Sequence, residues 1–322
     1  MIDIDYGVSI MMNDWLGVKK DELVHFITDE THMKEANAVT KWAISTDSIL
    51  KTTILPSHLI QNGEIIERMA GIFANEDVII GATSHSFITT RAVTTAIENG
   101  ARFLSLPLST NDGSSLLEND FMTMSTKEAK KMANTILKKL NGAKSLHVTT
   151  ALGTDLHLSI EGRKAGCFTG VVPKKSKGSA SFEVYIAPIE DSCNGTLYLD
   201  GSFGYIGTVK SPIKVQFRDG VMVSAESKDD GATTLTDYIK SFKDETMFKP
   251  GEFGIGLNKK SKCRGICYIE DESVYSTFHI GMGRNLSLGG KQVANGHFDI
   301  VTFKPTIYAD EKLIMKDGEI VL

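Results

Sequence analysis

The hydrophobic period of this chain changes once along its length, and that change restricts the folds open to it. Leu23 to Thr28, Ile49 to Leu55, Val78 to Ala82 and Arg102 to Leu106 are short apolar runs of strand length. Between them, Met33 to Ala43, Glu64 to Phe73 and Thr90 to Glu98 have helical period, and Thr126 to Leu140 is an amphipathic helix rich in Ala, Lys and Leu. Strands separated by whole helices cannot close as tight hairpins. They pair through crossovers, which gives a largely parallel sheet covered on both faces.

From about Lys144 the pattern becomes one of short strands with period two. Leu146 to Thr150, Asp155 to Ile160, Glu183 to Ala187, Thr196 to Leu199, Ile213 to Phe217 and Gly220 to Ala225 are such segments. Arg218-Asp219-Gly220 has the residues of a hairpin turn, and helical period returns only near Thr234 to Phe242. The expected architecture is an α/β N-terminal domain with a largely parallel sheet, residues 1–150. A mixed α+β metal-binding domain rich in antiparallel strands follows, residues 151–322.

Composition narrows the function classes. The chain has 35 basic and 40 acidic residues, a formal charge of −5, and no sustained basic stripe, so nucleic acid is not expected as a partner. Lys174, Lys175 and Lys177 form only a local run, read as a solvated loop or else an anion contact. No apolar run reaches membrane-spanning length, and Met1-Ile2-Asp3-Ile4-Asp5-Tyr6 lacks the features of a secretory signal; a cytoplasmic protein without a membrane partner is expected. Cys167, Cys193, Cys263 and Cys267 do not have zinc-knuckle spacing and read as reduced structural thiols. Neither GxGxxG nor GxxxxGK[ST] is present. Thr28-Asp29 and Ser84-His85 follow strand ends, where open α/β sheets bind ligands, although turn and cap roles suit the same residues.

The chemistry concentrates in the second half. In a strand, His297 and Asp299 share a face while Phe298 enters the opposite core, so imidazole and carboxylate point together. His279 lies in a strand-like segment that runs into Gly281 and Gly283, which permit close backbone approach. Glu252 sits in the glycine-rich Pro250-Gly251-Glu252-Phe253-Gly254-Ile255-Gly256, and Glu183 starts a strand after Phe182. Carboxylates inside strands are costly unless paired or bound to a cation. Together these residues mark a divalent-metal site. Asp155 and His157 also share a strand face, for which an internal hydrogen bond is a sufficient reading.

Several ordered motifs carry a family resemblance: Gly153-Thr154-Asp155-Leu156, Glu161-Gly162-Arg163, Glu183-Val184-Tyr185-Ile186-Ala187-Pro188 and Asn194-Gly195-Thr196-Leu197. Glu252-Phe253-Gly254-Ile255-Gly256-Leu257-Asn258, His279-Ile280-Gly281-Met282-Gly283 and Gly296-His297-Phe298-Asp299 complete the group, with Ser84-His85-Ser86 and Arg91 in the first half. Over nearly its whole length the chain resembles the M29-type aminopeptidases (aminopeptidase T, often labelled leucyl aminopeptidase) and the related 2,5-dihydroxypyridine dioxygenases. It is closer to the dioxygenase-like branch.

The resemblance implies metal ligation by Glu183, Glu252, His279, His297 and Asp299. Glu183, Glu252 and His85 would be the catalytic residues, with Arg91 and Arg163 holding an anionic substrate group. It implies a metal-dependent aminopeptidase-like hydrolase acting on small peptides or amides with zinc, cobalt or manganese. One alternative is a mononuclear non-haem Fe(II) ring-cleaving dioxygenase of dihydroxypyridine-like substrates, with Glu252, His297 and Asp299 as ligands. The other is a noncatalytic metal- or small-ligand-binding protein. A homo-oligomer, at least a dimer, is also implied. The chain departs from the aminopeptidase pattern at Leu286, where those enzymes have a ligating tyrosine, and at Ala180-Ser181-Phe182-Glu183, where a glycine before the glutamate is replaced by Phe182.

Overall fold

The computed structural model describes residues 1–57, 64–69 and 71–321. Numbered along the chain, its first strands are β1 (Leu23–Asp29), β2 (Ile49–Leu55), β3 (Val78–Ala82), β4 (Arg102–Ser105), β5 (Ser145–Thr149) and β6 (Asp155–Ser159). Next come β7 (Gly166–Thr169), β8 (Lys177–Ser179), β9 (Phe182–Ile186), β10 (Asn194–Leu199), β11 (Ser202–Phe203), β12 (Gly207–Thr208) and β13 (Ile213–Arg218). The remainder are β14 (Val221–Glu226), β15 (Pro250–Gly256), β16 (Thr277–Gly283), β17 (His297–Phe303), β18 (Thr306–Ala309), β19 (Lys312–Lys316) and β20 (Glu319–Ile320). The α-helices are α1 (Ile4–Ser9), α2 (Met33–Thr46), α3 (Glu64–Arg68), α4 (Arg91–Glu98), α5 (Thr126–Leu140), α6 (Gly231–Ser241) and α7 (Tyr268–Glu272).

The chain forms two compact units, Met1–Thr126 with Phe168–Ser181 and Lys127–Cys167 with Phe182–Leu322. The single division expected after residue 150 therefore falls inside the second unit. The cause is β8, which pairs parallel with β4 and returns residues 168–181 to the first unit. A long-range pairing of this kind has no local hydrophobic signature. It also takes Lys177 out of the expected loop and into a strand, while Lys174 pairs with Glu22 at 3.0 Å.

In the first unit the sheet order is β2-β1-β3-β4-β8, and every registered pair is parallel. β3 is buried at every position, as a sheet covered on both faces requires. One face packs Ile27, Ile79 and Phe103 with Phe87, Val93 and Ala96. Each such side chain contributes about 1.5–3 kcal/mol by leaving water. Thr90 caps α4 by accepting from the Val93 amide, so the helix starts one residue later than its sequence pattern suggests. The helix expected from Glu64 to Phe73 is observed over Glu64–Arg68, and Ala70 lies outside the described residues. The helical stretch Ile4–Trp15, which buries Val8, Met11, Met12 and Trp15, was not anticipated from the hydrophobic pattern.

The second unit holds two antiparallel sheets. The larger has the order β14-β13-β10-β6-β5-β18-β19-β20, and the other β12-β11-β17-β16-β15-β9-β7. The β13–β14 hairpin turns at Asp219 and Gly220, both with positive φ (48° and 71°), the backbone such a tight turn demands. No helix among the described residues is long and apolar enough to cross a membrane. All four cysteines are free thiols, and burial pushes Cys263 and Cys267 up to about 12, which suits structural rather than nucleophilic roles.

Candidate metal centre

The centre is built on one face of β9, β15, β16 and β17. Residues paired across an antiparallel sheet share a face. Glu252, Gly281 and Asp299 form one cross-strand row, and Tyr185, Gly254 and His279 form the next. Glu183 pairs with Gly256, and His297 with Gly283. The opposite face carries Phe253, Ile255, Phe278, Ile280, Met282, Phe298 and Ile300, all buried, with Phe253 and Phe278 stacked at 5.7 Å. Strand alternation thus fixes an apolar anchor beneath a polar face.

Glycine makes that polar face usable. A Cβ on Gly254 would lie 2.0 Å from His279 Nε2. With hydrogen there instead, the ring passes over β15 and reaches Glu183 Oε2 at 3.0 Å. A Cβ on Gly281 would lie 2.6 Å from His297 Cε1, 2.7 Å from Glu252 Cβ and 2.9 Å from Asp299 Oδ1. The donors therefore converge in space that any other residue would fill.

His297 Nε2 is 3.1 Å from Glu252 Oε2 and 3.4 Å from Asp299 Oδ1. Its Nδ1 donates to the Arg284 carbonyl at 2.8 Å, so in the neutral ring Nε2 would carry the lone pair. Two donor groups result, Glu183/Glu252/His279 and Glu252/His297/Asp299, each with its ligand atoms within 4.8 Å of one another. Glu252 belongs to both.

The electrostatics are those of carboxylates and imidazoles crowded together out of water. Burial, followed by the charge of Glu183, raises the Glu252 carboxyl. Burial opposes charge on His279, but the Glu183 hydrogen bond and the charges of Asp299, Glu183 and Glu252 outweigh it and lift the imidazole to about 9. His297 is also raised well above its ordinary value despite burial, chiefly by Asp299, and Asp299 is held far below the usual carboxylate range by His297 although burial opposes this. Among the described residues, Asp299 Oδ1 and His279 Nδ1 make no hydrogen bond although both are buried. Carboxylates crowded out of water cost several kcal/mol unless positive charge offsets them. The oxygen and imidazole donors fit a divalent transition ion.

All five expected ligands meet here. Phe182 does not narrow the site as its sequence position suggests, because alternation turns its buried side chain to the face opposite Glu183. Leu286 is exposed and has no donor atom. Arg163 spends its guanidinium on Glu190 and the Gly289 carbonyl, both at 2.6 Å. Arg91 is exposed at the start of α4 near Glu67, and His85 is exposed after β3; both belong to the first unit. At the neighbouring strand end Asp29 accepts from the amides of Thr31 and Ser84, a turn-capping role.

One buried participant escaped the sequence reading. Glu272 ends α7, hydrogen bonds Asp299, and has its carboxyl raised by burial and then by Asp299 and Glu183. Its run, Glu270-Asp271-Glu272, is acidic throughout, yet all three residues are buried. The apolar Cys267, Ile269 and Val274 that flank the run were the available signal.

A parallel α/β unit, together with an antiparallel unit bearing this His/Glu/Asp centre, sets the class of protein: a two-unit chain with a candidate metal centre on an antiparallel sheet. Within it, the chain belongs to the family described as NicX: 2,5-dihydroxypyridine 5,6-dioxygenase, which matches residues 18–322. A 2,5-dihydroxypyridine 5,6-dioxygenase of Pseudomonas putida KT2440 is 28% identical over 210 residues, 59% of this chain and 57% of that protein. The aligned region thus spans a little over half of the relative's length. The solved structure of 2,5-dihydroxypyridine dioxygenase from Pseudomonas putida KT2440 superposes with a TM-score of 0.80 at 19% identity, covering 99% of this chain and 96% of that one. Wild-type AmpT from Thermus thermophilus gives a TM-score of 0.66 at 15% identity, covering 99% of each chain. These two likenesses concern the fold.

Proposed function

We propose that the chain is a ring-cleaving dioxygenase of dihydroxypyridine-like substrates, with one ferrous ion held by Glu252, His297 and Asp299. The observation that carries this reading is the dioxygenase family match across residues 18–322, which takes in every one of these donors. The aminopeptidase-like hydrolase favoured by the sequence has weaker support, since the tyrosine ligand of those enzymes is replaced by the exposed Leu286.

Each residue has a role that its position supports. Glu252 on β15 and His297 and Asp299 on β17 converge over Gly281 of the intervening β16. The Arg284 carbonyl fixes His297 Nδ1, so that Nε2 would be the atom to hold a bound ion. A bound ferrous ion would supply redox activity and open coordination positions, with the electrons for oxygen reduction coming from the ring itself. Glu183 and His279, joined at 3.0 Å, are placed to accept a substrate hydroxyl proton at a carboxylate oxygen and to return it.

A second reading rests on one specific feature. Two donor groups share Glu252, an arrangement that suits a carboxylate bridging two zinc, cobalt or manganese ions in a hydrolase. Anaerobic loading with iron, metal analysis and oxygen-electrode assays separate the readings. Dioxygenation requires tightly held iron and oxygen uptake matched to consumption of 2,5-dihydroxypyridine or another dihydroxylated ring. Amine release from short peptides with two zinc or manganese ions bound, and no oxygen uptake, overturns it. Tight metal binding with neither reaction supports the noncatalytic reading instead.

A further inference from the structure

A second group of metal-ligating side chains lies on the eight-stranded sheet. β5 and β6 are antiparallel neighbours in which His147 pairs with His157 and Thr149 with Asp155. Directly paired residues share a face, as do residues two apart, so His147, His157 and Asp155 project together. The imidazoles stack with centroids 4.1 Å apart and planes 8° apart. Both Nε2 atoms approach the same carboxylate oxygen, Asp155 Oδ1, at 2.8 Å and 3.4 Å.

We propose that His147, Asp155 and His157 form a second metal site, one that takes a borderline divalent transition ion such as zinc or copper. Two imidazoles and one carboxylate oxygen lie within 4.8 Å of one another, and this donor set suits zinc, copper or nickel rather than magnesium or calcium. Two imidazoles compete for a single oxygen in the hydrogen-bonded arrangement. An ion satisfies both nitrogens and the oxygen together.

The scaffold supports binding. Leu146, Val148, Leu156 and Leu158, on the opposite face, are buried and anchor both strands. Tyr308 pairs with His147 from β18, and its ring lies 6.5 Å away at 26°, so His147 has a ring neighbour on each adjoining strand. Each imidazole donates within its own plane, so the stacked rings must splay by rotation about Cβ–Cγ. Their exposure leaves room for that motion and for water in the remaining positions: the side chains of His147, His157 and Asp155 are 39%, 60% and 66% exposed. Competing water makes this site weaker than the buried centre.

Zinc titration of the chelator-stripped chain by calorimetry tests the assignment, with Cu(II) paramagnetic resonance as a second readout. The unaltered chain should show a tight class of zinc and a weaker one. His157→Ala should weaken only the second class, by more than the roughly 10–100-fold that loss of an outer contact to a bound metal costs. Asp155→Asn, which preserves shape, should weaken the same class. His297→Ala should disturb the tight class and leave the weaker one, with copper bound by two imidazole nitrogens. A weaker class unchanged in both His157→Ala and Asp155→Asn overturns the assignment, as does zinc binding wholly lost in His297→Ala. Because different variants report on the two sites, this proposal and that for the buried centre fail separately.

Discussion

Both units bury charge, but they neutralise it differently. In the first, Glu22 meets the Arg102 guanidinium through two hydrogen bonds, at 3.0 and 2.6 Å, and Lys174 adds a third contact. His25 is held near Glu76, whose carboxylate also takes Lys51, and burial keeps the imidazole down at about 4. Glu22 and Glu76 there each have a basic partner from the chain. In the second unit Glu183, Glu252, Glu272 and Asp299 crowd around two imidazoles, and the ion bridges of Glu252 and Asp299 run to His279 and His297. Completed ion pairs hold a fold together. A surplus of buried carboxylates suits a cation, and the difference marks the unit in which the proposed metal centre lies.

Predictions that strike the metal side of this contrast should have the largest effects. Asp299→Asn and Glu252→Gln should lose bound metal and lower turnover by more than the about 10–100-fold typical of outer contacts to a metal, measured by metal analysis and oxygen uptake. Metal removal should lower the melting temperature. A ligand at 1,000 times its Kd contributes about 4 kcal/mol, and that increment should vanish in both variants. Retention of the full increment would mean that the ion binds elsewhere.

Breaking the first unit's pair should do the reverse. Glu22→Ala leaves Arg102 buried without its partner and should cost about 3–5 kcal/mol in urea unfolding. Metal content should be unchanged. The same pair sets an acid limit. The Arg102 hydrogen bonds hold Glu22 at about 2, below its ordinary value near 4.5, so its contribution is complete above 4.5 and is lost as pH falls toward 2. The loss should reach about 3 kcal/mol and be absent from the Glu22→Ala variant.

Gly281→Ala tests how closely the centre is packed. Its methyl would meet His297, Glu252 and Asp299, and should cost about 1–3 kcal/mol together with metal affinity. Wild-type affinity in this variant would show that the donors have slack. The smallest effect should come from Lys20→Ala, which removes an exposed pair with Asp47 and should give no resolvable change in melting temperature.

Much of the architecture is legible because apolar periodicity is a local property. β2, β3 and α5 begin and end where their sequence patterns do, and the turn at Asp219-Gly220 follows from its residue types. His297 and Asp299 are legible for the same reason, since strand alternation alone puts them on one face. Register is not local. Nothing within β15, β16 or β17 states that Gly281 lies between Glu252 and Asp299, or that Gly254 clears a path from His279 to Glu183.

The sequence by itself therefore determined the two kinds of sheet, the polar face of the site strands and the identity of the five converging donors. Only the tertiary structure decided that residues 168–181 return to the first unit, that the acidic run ending at Glu272 is buried, and that His147 meets His157. The physical reason is common to all three. Composition and period report what one segment prefers to bury, whereas pairing between distant strands decides which side chains share the same few ångströms.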